Sequence, residues 1–227
     1  MKPIYAHSFN LTPKEAVELQ LKLKKNLIFD SDFNIEDVKL VAGADVSYSK
    51  KENMLYGVVV ILTFPDLEVA EKAWVKGEAE FPYIPGLLAF REGPVLLEAF
   101  KKIEREPDII FFDGHGISHP RGLGIASHLG VLLNKSSIGV AKKNLVGEVF
   151  ELAKTKGATA SILKDGKEIG KVLRTREKVK PIYVSVGHKI GLEKAVDLTL
   201  KTIGKYRILE PIRQAHIFSN EVRTSKS

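Results

Sequence analysis

Apolar positions recur along this chain with two different periods, and the switches between them mark out its elements. Over residues 12–29, Ala16, Leu19, Leu23 and Leu27 return at helical spacing. Thr12, Pro13 and Glu15 stand ahead of them in the order of cap, first-turn proline and capping-box acid. This reads as an amphipathic helix with a lysine-rich outer face, whose work is packing. After the loop DSDFN come three segments rich in β-branched and apolar residues, at 40–48, 56–63 and 69–75. Their separators, SKKEN and FPDLE, are short and polar or proline-bearing, which predicts a three-stranded antiparallel meander. The stretch FPYIPGLLAFREGP holds three prolines and two glycines among apolar and aromatic residues and is expected to be a constrained loop.

Beyond it, residues 95–106 carry a helical stripe that Pro107 ends, and 109–112 form a short, wholly apolar strand stopping at Asp113-Gly114. A helix over 123–133 and a buried strand over 137–140 follow, and strand, helix, strand at this spacing predicts a parallel unit joined to the meander. Segments 160–163 and 171–175 flank KDGKEI, an Asp-Gly hairpin signal; 182–186 is one more strand, and helices are expected over 192–203 and 211–223 before a frayed TSKS tail. The expected architecture is α/β: a mixed five-stranded central sheet, meander plus parallel strands, flanked by helices and supplemented by a hairpin. No internal repeat or linker divides the 227 residues, so a single domain over 1–227 is expected.

Composition narrows the chemistry. The chain has no Cys, which excludes disulfides, thiolate nucleophiles and Cys-ligated metals and leaves Asp, Glu and His as ligands for a hard cation. The opening MKPIYAHSFN lacks a signal-peptide core and no apolar run is long enough for a bilayer, so a cytoplasmic protein without membrane association is expected. Lys plus Arg outnumber Asp plus Glu by 35 to 28, a formal charge of +7 that favours a polyanionic partner without by itself requiring one.

Three carboxylates carry the candidate chemistry. Asp45 interrupts the strand VAGADVSYS, where a carboxylate among apolar neighbours is unfavourable unless something satisfies it. Asp113 closes the run IIFFD ahead of Gly114 and Gly116, at the carboxyl end of a parallel strand, where open sheets place their sites. Glu92 follows the proline-rich loop and alone is the weakest signal. In a sheet built from a meander and a following parallel strand, the first and fourth strands are neighbours, so Asp45 and Asp113 face each other. Two carboxylates so close call for a divalent cation between them, and oxygen ligands suit magnesium or manganese.

These segments, together with DIIFFDGHGISHPRGLGIASHLG, IGVAKKNLVGE and PIYVSVGHKIGLEKAV, resemble in order and spacing the motifs of the endonuclease V family. The resemblance implies a ribonuclease H-like fold and a metal-dependent endonuclease acting on deoxyinosine-containing DNA, or on inosine in RNA. Such an enzyme cuts the second phosphodiester 3′ to the lesion, leaving 3′-hydroxyl and 5′-phosphate. It further implies a catalytic set of Asp45, Glu92, Asp113, Lys142 and His216, with Asp45 and Asp113 holding Mg2+ or, in its place, Mn2+. Pro82, Tyr83, Ile84 and Pro85 match the family's strand-separating wedge. Gly86, Leu88, Gly114, Gly116, Ile125, Gly139 and Leu145 match its lesion pocket, and His119 its contact with the phosphate backbone. A monomer is the simplest expectation. The alternatives are another ribonuclease H-like nuclease, cutting RNA–DNA hybrids or junctions, and a non-catalytic nucleic-acid-binding protein. An intact acidic triad speaks against the second, and a rigid aromatic wedge against the first.

Overall fold

The computed structural model describes residues 1–29 and 32–225. Of the expected loop DSDFN and tail TSKS, Asp30, Ser31, Lys226 and Ser227 lie outside the described residues, while Thr224 still belongs to the last helix. Helix α1 (Pro13–Leu23) opens with the predicted capping box: Thr12 and Glu15 bond each other's backbone N–H reciprocally. It turns into a single 3-10 turn at Lys24–Asn26 and so ends short of residue 29.

Strands β1 (Leu40–Ser49), β2 (Met54–Thr63) and β3 (Val69–Glu78) form the antiparallel meander. Helix α2 (Leu88–Lys102) leads to β4 (Ile109–Asp113), and α3 (Ile125–Leu133) to β5 (Ser136–Ala141). After them come β6 (Glu148–Val149), the hairpin β7 (Thr159–Lys164) and β8 (Lys167–Leu173), then β9 (Ile182–His188). Helices α4 (Leu192–Lys201) and α5 (Glu210–Thr224) close the chain. The hairpin turns on Asp165 and Gly166, both at positive φ, as an Asp-Gly turn of the primed type requires.

The strands lie in one sheet in the order β3-β2-β1-β4-β5-β9-β8-β7-β6. The first five are the expected mixed core, with β4 parallel to both β1 and β5. The hairpin is not a separate appendage, because β9 pairs antiparallel with β5 and carries β8, β7 and β6 on the same sheet.

Period-two alternation sorts the core into two layers. Val41, Val58, Val60, Ile109 and Phe111 pack under α4 and α5 with Leu198, Ile212 and Ala215. Ala42, Ala44, Val59, Ile110 and Phe112 pack on the other face with Leu96, Phe100, Leu129 and Leu133 of α2 and α3. Asp45 and Asp113 continue the odd-numbered series of their strands, so both head toward the layer that α5 covers. That helix approaches closely: a Cβ on Gly43 would stand 1.9 Å from the carbonyl oxygen of Pro211.

One boundary departs from the sequence reading in a way that matters. Half of the expected proline-rich loop is helix: α2 begins at Leu88 and runs through Pro94. Burial of Leu87, Ala89, Phe90, Leu96, Leu97 and Phe100 offsets the lost hydrogen bond of the internal proline.

Candidate active site

Strand β1 brings Asp45 and strand β4 brings Asp113 to one point, one residue past the paired Ala44 and Phe112. Helix α5 lays His216 over them. One ligand atom from each of Asp45, Asp113 and His216 falls within a 4.8 Å cluster. His216 Nδ1 is 3.1 Å from Asp45 Oδ2, and the buried Ser219, one helical turn on, donates its hydroxyl to the same oxygen at 2.8 Å. Asn220 in turn donates to the His216 carbonyl at 2.8 Å. Lys142, just past β5, puts Nζ 2.6 Å from Asp113 Oδ2. The side chains of Asp45 and Asp113 are only 10% and 17% exposed, whereas Lys142 and His216 are about half exposed, so the cluster opens to solvent on one side.

The third carboxylate arrives from an element the sequence placed in a loop. Glu92 sits in the second turn of α2, and burial, reinforced by the negative charges of Asp45 and Asp113, pushes its carboxyl up to about 8. Burial also raises Asp113 above the usual carboxylate range, against the opposing pull of Lys142. The hydrogen bond to Asp45 raises His216. A group of carboxylates in which burial, reinforced by the charges of its neighbours, holds one protonated is a donor set matched to a divalent cation, which would offset that negative charge. Asp45 and Asp113 are the groups that could hold such an ion through oxygen, with a His216 nitrogen at the edge.

Beside the cluster, the wedge segment stands out from the surface. Tyr83 is 72% exposed between the exposed Pro82 and Pro85, while Ile84 packs inward on Ala16, Phe81, Leu87 and Phe90. The Leu87 N–H bonds the Ile84 carbonyl at 2.9 Å with Gly86 at φ +82°, the pattern of a type II turn with proline and glycine in its central places. Behind the wedge is a cavity of about 200 Å3, lined among others by Gly86, Leu88, Gly114, Ile125 and Leu145. A larger cavity of about 440 Å3 opens between the N-terminal segment and α2; none of the three carboxylates lines either cavity, but the smaller one is lined by Gly114, the residue that follows Asp113.

Two expected pocket residues do not line the 200 Å3 cavity. A Cβ on Gly139 would stand 2.3 Å from the Gly116 nitrogen, and one on Gly116 would stand 2.0 Å from the Val186 carbonyl oxygen. These glycines let the loop after β4 lie flat on β5 and β9, and the Gly116 N–H is taken by Ser185 Oγ at 2.9 Å. His119, expected at the phosphate backbone, makes its contacts in this structure within the protein. It is 4% exposed, its Nδ1 accepts from the Arg121 N–H at 3.2 Å, and its Nε2 therefore donates to the Gly86 carbonyl at 3.0 Å. Burial lowers it to about 4, so it is neutral and committed inward, supporting the wedge turn where a phosphate contact was expected.

The Endonuclease V sequence profile matches residues 21–217. The chain belongs to the endonuclease V family. It is 45% identical over 223 residues to endonuclease V of Gloeobacter violaceus, covering 97% of this chain and 90% of that protein. Among solved structures it is similar to Endonuclease_V of Bacillus subtilis, at 33% identity and TM-score 0.94, covering 100% of this chain and 98% of that one. It is also similar to endonuclease V of Ciona intestinalis in complex with DNA containing an inosine followed by a ribo-adenosine, at 31% identity and TM-score 0.83, covering 94% and 98%. Membership makes the chain a phosphodiester hydrolase with the ribonuclease H-like fold, and Asp45, Asp113 and His216 form a candidate metal site for such chemistry.

Sequence reasoning missed Ser219 and Gln20. Ser219 is one turn from His216, a spacing visible once α5 is drawn as a helix. Gln20 was passed over as one more polar residue on a packing helix, yet it is buried and lines the 200 Å3 cavity. Among the described residues, no helix is long and apolar enough to cross a membrane.

Proposed function

We propose that the protein recognises deoxyinosine in DNA and hydrolyses the second phosphodiester bond on its 3′ side, leaving 3′-hydroxyl and 5′-phosphate ends with Mg2+ as the cofactor. The observation that carries this reading is the convergence of Asp45, Glu92 and Asp113 beside a small cavity roofed by an exposed tyrosine between two prolines. Asp45 and Asp113 would hold the divalent ion, which when bound would supply an activated water and offset charge on the leaving oxygen. Lys142, half exposed and next to Asp113, is placed to stabilise charge on the phosphate. His216, its ring held by Asp45 at Nδ1 and within 3.4 Å of the Asn220 amide at Nε2, orients a ligand or water at the solvent side.

The cavity is smaller than the roughly 300–1,000 Å3 of drug-sized pockets and suits a single ring system. Gly86 and Gly114 in its wall let backbone groups approach a base closely, and main-chain N–H groups suit the O6 of hypoxanthine. Tyr83, stiffened by its proline neighbours, fills the gap that an extruded base leaves in the stack. All five catalytic residues come from one chain, so a monomer suffices. The Ciona relative, with its inosine followed by a ribonucleotide, favours testing inosine in RNA as a second substrate.

The deciding experiment compares matched oligonucleotides carrying deoxyinosine, inosine, uracil or an abasic site, in Mg2+, in Mn2+ and in chelator, with product ends mapped on the same gel. Metal-dependent nicking one nucleotide 3′ of deoxyinosine is expected. Nicking of undamaged and lesion strands alike overturns the lesion specificity, and activity in chelator overturns the metal site.

A further inference from the structure

The carbonyl oxygen of Gly86 accepts from three side chains at once. Gln20 Nε2 lies at 3.0 Å, His119 Nε2 at 3.0 Å and Arg121 Nη2 at 2.6 Å. A carbonyl has two lone pairs, so this oxygen is fully used by groups that have been brought together for it. The three donors are tied to each other. Arg121 Nε donates to Gln20 Oε1 at 2.6 Å, and Gln20 Nε2 also reaches the Leu123 carbonyl at 3.0 Å. Gln20 is 1% exposed, and every polar atom of its side chain is engaged within this network. A buried amide is retained at such a place only when its hydrogen bonds are complete, since an unmatched one is unfavourable.

What the network holds in place is the wedge turn. Gly86 is the positive-φ residue of the turn whose preceding residues are Tyr83, Ile84 and Pro85, and a Cβ there would stand 2.7 Å from Arg121 Nη2. Another wall of the 200 Å3 cavity is built from Gly114, just past β4, and Ile125, at the start of α3. Gln20 belongs to α1, Arg121 and Leu123 to the loop entering α3, and Gly86 to the wedge. The network therefore fixes the distance between the two walls of the cavity, and with it the place of the tyrosine.

The geometry points to Gln20, acting through Arg121 on the Gly86 carbonyl, as a positioning residue that sets the width of the lesion cavity and so the enzyme's discrimination between damaged and undamaged DNA. This rests on the lesion-recognising function proposed above. Gln20 is remote from the carboxylates in sequence and makes no hydrogen bond to them, so its effect falls on binding rather than on the hydrolytic step.

Two variants test it in the full-length protein. Gln20→Met keeps the volume and removes every hydrogen bond; Gln20→Glu keeps the bond from Arg121 but turns an acceptor toward the Gly86 and Leu123 carbonyls. Both are expected to weaken binding of a deoxyinosine duplex about ten-fold, the scale of one lost hydrogen bond to a charged partner. Affinity for the matched undamaged duplex should change less than about two-fold, and single-turnover cleavage of fully bound lesion DNA less than about three-fold. Hydrogen exchange of the Leu87 amide, which closes the turn, should quicken in both variants. Unchanged Leu87 exchange in Gln20→Met overturns the clamp; faster exchange with wild-type discrimination overturns its role in specificity. Equal losses on both duplexes reduce Gln20 to a packing residue. Should the wild-type protein show no preference for deoxyinosine, the functional reading fails, whereas the exchange measurement, which needs no DNA, still decides the clamp.

Discussion

Replacing Glu92 by glutamine keeps the shape of the side chain and removes its charge. In the metal-free protein the carboxyl is pushed from its ordinary 4.5 up to about 8 by burial and by the charges of Asp45 and Asp113. An acid raised on folding keeps a proton that the unfolded chain releases, so it lowers stability as pH climbs from 4.5 toward 8 and has no effect below that window. At pH 7 the penalty spans two and a half pH units, about 3 kcal/mol; above pH 8 it approaches about 5 kcal/mol. Glu92→Gln removes it. The metal-free variant should match the wild type near pH 4.5 and exceed it by about 3 kcal/mol at pH 7. Metal-dependent cleavage should meanwhile fall on the order of 100-fold or more, because a carboxylate that offsets cationic charge is gone. Urea denaturation of chelator-treated protein between pH 4.5 and pH 8.5 reads the difference directly. A stability difference that stays constant across that range, or a variant less stable at pH 8, refutes the account of Glu92 as a carboxyl held neutral by burial and by its two neighbours.

Further outcomes follow from the same geometry. Asp45→Ala and Asp113→Ala should each reduce cleavage by at least roughly a thousand-fold in Mg2+ while leaving the circular dichroism spectrum unchanged; retained activity removes the assigned metal site. Tyr83→Ala should leave the melting temperature within a few degrees, given that the ring is 72% exposed, but weaken lesion binding far more than binding of undamaged duplex, as gel-shift titration would show. Gly139→Ala should destabilise by about 1–3 kcal/mol, since the new methyl would meet backbone atoms of Gly114, His115 and Gly116 that cannot rotate away; a neutral effect on thermal unfolding would contradict the close approach of that loop. Lesion affinity should fall steeply with added salt, in keeping with a chain of charge +7; a flat response would argue against phosphate contacts.

Much of this arrangement is written in local patterns. The meander, the apolar run before Asp113 and the alternation within β1 predict that Asp45 and Asp113 meet, and the parallel pairing of β1 with β4 brings them together. The helix around Glu92 was hidden because proline and glycine in FPYIPGLLAFREGP outweigh helical spacing in a single sequence. In the fold, the apolar face of α2 is buried against the meander, and tertiary packing overrides propensity. The inward contacts of His119 were hidden for a related reason. Beside Pro120 and Arg121 it reads as a loop residue free for a ligand, and only the folded chain shows both its nitrogens turned inward. Gly116 and Gly139 likewise signal a backbone that must come close to something, but not whether that something is a base or the neighbouring strand.

Helix α5 contributes the last pieces of the cluster, His216 and Ser219, which lie 171 and 174 residues after Asp45 in sequence. A ribosome delivers the sheet and both aspartates long before it delivers that helix. Contacts so distant in sequence form late in folding. Until that helix settles across β1, the paired aspartates lack the imidazole and the hydroxyl that complete the cluster, so the capacity to cut waits on a contact between residues far apart in sequence.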